Sequence, residues 1–425
     1  MSTLISDQSI KYQGGENIDL QSILIRDRKL GLENKVKHFA EFINANETIN
    51  KIQCRRKIVS EAGPEVLVED RSAGGVKKLL MFGSNNYLGF AAHPFIKERV
   101  KQAVDKYGVG VGGPPLLNGY TILHKELEDR LSYLKGTEDT LIFGSGYSTN
   151  VGLLSCLVNP KEDVVFYDAY SHASFYDGLR MSRVPNYSFH HNDCDDLLRL
   201  LAYRSGNAMT SYIGVEGVYS MDGDVAPLDQ IVGMARNKGA IVILDDAHGT
   251  LVLGKNGGGT TEEFGLEGKV DIIVGTFSKA FAVSGGFISA SREIINYLRF
   301  LARSYMFSAS LPIPTVAAVL AGLELFEKEP ELRLQLLRNT QYVAAYLRQY
   351  GIVTEPKAAI IALRVPEIMN ARQVAYKFQE LGIFINSIEY PAVPRSEQRI
   401  RISIMANHTR EHLDRLIDAV DMIWN

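Results

Sequence analysis

"VDIIVGTFSKAFAVSGG", residues 270–286, begins with a short apolar run, Ile272–Val274, and turns at once into Gly275, Thr276, Phe277, Ser278 and Lys279, ahead of the glycine pair Gly285-Gly286. An uncharged β-branched run bounded by glycine reads as a strand buried on both faces. A lysine just past such a strand has two readings. It is a solvated surface charge, or it is an amine carried to the carboxyl edge of a parallel sheet, where open α/β sheets bind ligands.

The surrounding sequence supports the second reading. "DTLIF", "EDVVFYD", "SYIGVEG", "AIVILDD", "KVDIIVG" and "GGFISAS" are short apolar runs, several of them separated by helical stretches such as "PLDQIVGMARNKG". Strands alternating with helices give a largely parallel sheet covered on both faces. The residues just after these runs carry chemistry: Gly144-Ser145-Gly146-Tyr147, Ser171-His172-Ala173-Ser174, Ser220-Met221-Asp222-Gly223, Asp245-Asp246-Ala247-His248 and Thr276-Phe277-Ser278-Lys279. Taken singly, each is better explained as a loop, a helix cap or a structural histidine. On consecutive strand ends of one sheet they converge.

The chain has 425 residues, 46% of them hydrophobic, enough for a sizeable core and more than one domain. The periodicity divides it into a polar N-terminal helical arm and segment (1–78), the alternating large domain (79–310) and a C-terminal small α+β domain (311–425). From about residue 300 a long helical region, "TVAAVLAGLELFEKEPELRLQLLRNTQYVAAYLRQYG", leads into that last part, which holds strands in "AAIIALRV" and "RIRISIM" and helices in "ARQVAYKFQELG" and "TREHLDRLIDAVDMIW". A net charge of −3, spread along the chain, argues against nucleic acid or an anionic membrane as partner. Cys54, Cys156 and Cys194 form neither a disulfide framework nor a metal motif, and a cytoplasmic location is expected. "MSTLISDQSIKYQGGENIDLQ" lacks the features of an export signal, and no run of eighteen apolar residues predicts a membrane span. No metal site is expected.

A lysine amine, a carboxylate, imidazoles and a cradle of amides and hydroxyls are what pyridoxal 5'-phosphate requires. The lysine forms a Schiff base with its aldehyde, the carboxylate keeps its ring nitrogen protonated, and donors grip its phosphate. Gly146 and Tyr147, at a strand-to-helix turn, offer amide N–H groups at the positive end of a helix dipole.

The motifs "GSNNYLGFAAHP", "LLNGYTILHKELE", "SGYSTN", "DAYSHASFYDG", "EGVYSMDGDVAPL", "LDDAHGTLVLG", "GTFSKAF", "MFSASLP" and "RIRISIMANHT" follow one another in the order shown by the α-oxoamine synthases. The chain resembles that family, which has the fold type I architecture of pyridoxal-phosphate transferases, over roughly residues 75–420. The resemblance implies a mostly parallel seven-stranded sheet covered by helices, and a homodimer with shared active sites. It implies Lys279 as Schiff-base lysine and base, Asp245 as partner of the ring nitrogen, His248 at the phenolic oxygen and His172 stacked on the ring. Ser145, Gly146, Tyr147, Thr276 and Ser278 correspond to the phosphate cradle, Ser308 to a hydroxyl from the neighbouring subunit and Ser220 to a serine near the ring oxygen. Asn85 and Arg401 correspond to groups around the amino-acid carboxylate.

The activity this resemblance implies is a decarboxylative Claisen condensation of serine, glycine or alanine with an acyl-CoA or acyl-carrier-protein thioester, giving an α-aminoketone. "SHASFYDG", "EGVYSMDGD" and "SASLP" are most similar to bacterial serine palmitoyltransferases. "DDAHGT" and "YPAVP" lean towards 8-amino-7-oxononanoate synthase and glycine C-acetyltransferase. A fold type I aminotransferase is the more distant alternative. Two positions depart from the family pattern. Gly113-Pro114-Pro115-Leu116-Leu117 replaces a polar corner, which favours an uncharged acyl chain, and Glu389 stands where several members carry arginine.

Overall fold

The computed structural model describes residues 23, 25, 27–48, 55–70, 74–206, 208–366, 368–390 and 393–425. Much of the expected N-terminal arm, and Cys54, lie outside the described residues. Within the arm, Leu32–Thr48 is a helix, as its apolar spacing suggests.

Strands β1 (Glu65–Glu69) and β2 (Val76–Met81) form an antiparallel hairpin. The central sheet follows, built from β3 (Asp139–Phe143), β4 (Asp163–Asp168), β5 (Asn186–Phe189), β6 (Thr210–Glu216), β7 (Ile241–Asp245), β8 (Ile272–Thr276) and β9 (Gly286–Ala290). Its seven strands run in the order β3-β9-β8-β7-β6-β4-β5, and β9 alone is antiparallel to its neighbours. β4 and β8 are buried along their whole length and β6 and β7 nearly so, because helices cover both faces. Two apolar clusters fill the two faces, one around Leu141, Phe175 and Ile288, the other around Phe166, Ile213 and Leu244.

The long helical region after residue 313 is two helices, Ile313–Lys328 and Glu331–Leu347, interrupted at Glu329-Pro330. Proline has no N–H to continue the ladder and disfavours the helical conformation of the residue before it. Beyond them, β10 (Ile360–Arg364), β11 (Ile383–Phe384), β12 (Asn386–Ile388) and β13 (Arg399–Ser403) complete the strands. β13 lies between β10 and β12, antiparallel to both, whereas β11 adds in parallel to β2. The N-terminal hairpin therefore pairs with the C-terminal region rather than standing apart from it. One apolar cluster carries Leu80, Phe82, Ile383, Ile400 and Phe277 together, so the core of the C-terminal region is continuous with the residues that follow the carboxyl end of β8. Among the described residues no helix is long and apolar enough to cross a membrane.

Candidate active site

The carboxyl ends of β4, β6, β7 and β8 open into one cleft of about 320 Å³, within the range of small-molecule sites. Of the residues singled out by sequence, Ser145, Gly146, Tyr147, His172, Asp245, Thr276, Ser278 and Lys279 line it.

Ser145 caps the helix Gly146–Leu157 by accepting from the Ser148 N–H at 3.0 Å, which leaves the next amides pointing into the cleft. A Cβ at position 146 would lie 3.0 Å from the Thr276 side chain, so glycine is what lets the helix start approach the end of β8. Thr276 Oγ1 donates to the Gly285 carbonyl at 2.9 Å, which leaves its lone pairs for the Ser278 hydroxyl (2.9 Å) and amide (3.2 Å). Lys279 sits on a loop closed by Phe277 N–H to the Gly285 carbonyl at 2.9 Å.

The electrostatics follow from burial. Asp245 accepts from Asn150 Nδ2 at 2.8 Å and from the Ala247 N–H at 3.2 Å, so both its oxygens are oriented. Desolvation pulls the Lys279 amine down to about 8, against the attraction of Asp245 and Glu216. His172 is lowered by burial, with Lys279 adding to the effect and Asp245 opposing it. Glu216 stands opposite Asp245 in the register of β6 and β7, and burial, then the Asp245 charge, raise it well above the usual carboxylate range.

Four more of the expected residues form a second cluster around Arg401 of β13. Arg401 donates from Nε to the Ser220 carbonyl at 2.6 Å and from NH2 to Asn85 Oδ1 at 3.0 Å. Tyr87 links Asn85 (3.2 Å) to His248 Nδ1 (2.7 Å), and burial holds His248 well below its ordinary pKa, hence neutral. Ser220 thus contributes its backbone carbonyl to Arg401. Ser308 is exposed and does not line the cleft of its own chain. Arg399 pairs with Asp222 and Glu397, which ties the loop bearing Ser220 to β13. Of the two departures, Glu389 accepts from Arg372 Nε at 2.8 Å. Pro114 begins a tight turn, its carbonyl accepting from the Leu117 and Gly119 amides, and this turn is pinned to the Ser310 N–H through Gly113.

Sequence reasoning placed Ser174 on the ligand edge without a role, and missed Asn150, Glu216 and Tyr87. Glu216 could have been found as the last residue of the run "YIGVE", on the same edge as Asp245. Asn150 lies one helical turn beyond Gly146, on the same face.

The donor set fits pyridoxal phosphate: a lowered-pKa amine, an oriented carboxylate, a neutral imidazole and a helix N-terminus share one cleft. The aminotransferase class I and II family model matches residues 77–420. The chain is 41% identical over 348 residues to an 8-amino-7-oxononanoate synthase of Lysinibacillus sphaericus, covering 82% of this chain and 89% of the relative. It is 38% identical to a serine palmitoyltransferase of Sphingobacterium spiritivorum, covering 87% and 91%. A serine palmitoyltransferase of S. paucimobilis, solved with a bound pyridoxal phosphate–myriocin aldimine, superposes with a TM-score of 0.84 at 30% identity, covering 92% of this chain and 99% of the other.

Proposed function

The chain belongs to the aminotransferase class I and II family and, within it, to the α-oxoamine synthases, and from that premise we propose that it joins a small amino acid to an acyl thioester with loss of carbon dioxide, using pyridoxal phosphate. The observation that carries this reading is the meeting of Lys279 and Asp245 at the ends of neighbouring strands, in a cleft whose far wall is a helix N-terminus.

The amides of Gly146 and Tyr147, with Ser145, Thr276 and Ser278, would hold the phosphate. Asp245 would keep the proton on the ring nitrogen, His172 would cover the ring, and His248 and Ser220 would flank its phenolic oxygen. Once bound, pyridoxal phosphate supplies the electron sink that makes an amino acid's Cα–H bond acidic. The remaining work falls to this chain's side chains. Arg401, oriented by Asn85 and the Ser220 carbonyl, pairs with the substrate carboxylate. Lys279, its amine lowered by burial to about 8, has a pKa close enough to neutral pH to serve as the base that accepts the Cα proton. Cα then bonds to the thioester carbonyl carbon while the carbon–sulfur bond breaks and the thiolate leaves. Departure of the carboxylate as carbon dioxide leaves its electron pair to Cα, where Lys279 returns the proton. The product is an α-aminoketone.

The apolar corner at Pro114-Pro115-Leu116-Leu117 supports an uncharged acyl chain, carried by CoA or an acyl carrier protein. The amino acid is one of serine, glycine and alanine. Exposed Phe307, Phe300, Leu301 and Leu117, together with Ser308 outside its own cleft, support a homodimer in which Ser308 serves the partner's phosphate. We place this enzyme in the cytoplasm and divide it into a large domain (79–310) and a small one (311–425) that shares a sheet with the N-terminal hairpin.

Thiol release tests the reading. Protein loaded with pyridoxal phosphate is mixed with each amino acid against acyl-CoAs of short, medium and long chain. Amino-acid-dependent release of free CoA supports the condensation, and the best pair names the substrates. Formation of a 2-oxo acid without thiol would instead assign an aminotransferase.

A further inference from the structure

The proposed reaction needs His172 and Asp245, which come from different strand ends, to keep fixed places around one flat ligand, the imidazole over its face and the carboxylate at its edge. The structure joins them by a short chain of hydrogen bonds. Asn150, 2% exposed, donates from Nδ2 to Asp245 Oδ2 at 2.8 Å and to Ser174 Oγ at 3.0 Å. Ser174, wholly buried, has its Oγ 2.7 Å from His172 Nδ1, and its backbone N–H meets the same nitrogen at 3.2 Å.

Counting hydrogens fixes every direction in this chain. A backbone N–H can only donate, so His172 Nδ1 carries a lone pair, and a neutral ring then bears its proton on Nε2. The Ser174 hydroxyl accepts from Asn150 and therefore has its own hydrogen for Nδ1. The reverse setting of the Asn150 amide would put its carbonyl oxygen against the Asp245 carboxylate, so the acceptor dictates the orientation. Both hydrogens of Asn150 Nδ2 are used, one at each end.

We propose that Asn150 and Ser174 are positioning residues that tie Asp245 to His172, so that one hydrogen-bonded unit fixes both the carboxylate that would face the ring nitrogen and the Nε2–H form of the imidazole that would cover the ring. Neither residue touches the reacting atoms in this scheme. Their effect passes through the two that do. The proposal rests on the pyridoxal-phosphate reading for its consequences in catalysis, but the hydrogen-bonded unit belongs to the protein alone and is testable without cofactor.

The experiment has two arms, each run on Asn150→Ala, Ser174→Ala and the double variant. In the first, the cofactor-free protein is labelled with 15N-histidine, and His172→Gln identifies the His172 signals. Wild type and Ser174→Ala are both expected to show the Nε2–H form, because the backbone N–H of residue 174 still meets Nδ1, but Ser174→Ala is expected to shift the Nδ1 resonance as the hydroxyl donor is lost. An unmoved His172 Nδ1 resonance in Ser174→Ala, or an Nδ1–H form in wild type, would overturn the proposal. In the second arm, the proteins carry pyridoxal phosphate, and the visible absorbance is titrated with pH beside kcat and KM. Asn150→Ala is expected to move the titration midpoint and lower kcat about a hundred-fold, with the thioester KM nearly unchanged, as misplacement of reacting groups does. The double variant is expected to be no worse than Asn150→Ala, because both residues act in one unit. Additive losses, or a fall in the unfolding midpoint with an unmoved titration, would overturn the coupling. A wild-type protein that takes up no pyridoxal phosphate would sink the functional reading, while the histidine spectra would still decide the hydrogen-bonded unit.

Discussion

Lys135 and Asp246 form an ion pair from which solvent is wholly excluded, with Nζ 2.7 Å from Oδ2. Lys135 spends its other hydrogens on Thr250 Oγ1 and the Gly258 carbonyl, both at 2.8 Å, while Thr260 Oγ1 donates to Asp246 Oδ1 at 2.6 Å. The pair thus fastens the loop after β7 to the end of the helix Ile122–Lys135, one residue beyond Asp245 and two before His248.

Removing one partner strands a buried charge. Lys135→Met is expected to lower the unfolding free energy by about 3–5 kcal/mol, and Lys135→Met with Asp246→Leu to recover much of that loss. Denaturant unfolding of the cofactor-free protein measures both. A loss within about 0.5 kcal/mol for the single variant, as at ordinary surface sites, would contradict the clamp.

His191 provides a pH signature. It lies between Asp168 (2.9 Å) and Asp224 (2.8 Å), stacked on Tyr170 with ring centroids 4.1 Å apart. Burial pushes its pKa down, but the hydrogen bonds to the two carboxylates outweigh burial and lift it to about 9. A raised histidine contributes stability that is fully present below about pH 6.5 and lost as pH rises through about 9. The gap in stability between wild type and His191→Gln should therefore be of order 2–3 kcal/mol at neutral pH and nearly close by pH 10. A gap independent of pH would refute this assignment.

Glu216 carries the opposite sign. Its Oε1 is buried without a hydrogen-bond partner and its pKa is raised by burial and by Asp245, so the folded state holds a proton that the unfolded state releases. That contribution favours unfolding at neutral pH and vanishes below about 4.5. Glu216→Gln, which copies the neutral acid, should be more stable than wild type at neutral pH, lose that advantage in acid and keep turnover within about threefold. Loss of turnover in Glu216→Gln would show that the ionised form is needed.

Arg401 should reveal itself in the amino-acid KM. Arg401→Ala is expected to raise it about a hundred-fold, a cost near 3 kcal/mol for a charge-assisted pair, while leaving the thioester KM within about threefold. Arg401→Lys keeps the charge but not the fork, and should fall between. Equal rises for both substrates would move Arg401 out of the carboxylate site.

The sheet and most of the cleft were legible because buried parallel strands are apolar runs, and the residue after each run marks the ligand edge. β5 escaped notice because "NYSF" is a polar edge strand with a single buried residue, so no apolar run announces it. Asn150 and the linking role of Ser174 escaped for a different reason. Their importance lies in hydrogen bonds between a helix and two strand ends, and such partners have no fixed spacing along a chain. Ser308 shows the remaining limit, since its expected role involves a second copy of the chain.

The most direct test of the condensation follows both leaving groups in one reaction. Protein loaded with pyridoxal phosphate is given a carboxyl-labelled amino acid and its best acyl-CoA, and labelled carbon dioxide and free thiol are counted together. Equal amounts of the two, absent in Lys279→Ala, are the expected result. Carbon dioxide without thiol, thiol without carbon dioxide, or undiminished release in Lys279→Ala would contradict it.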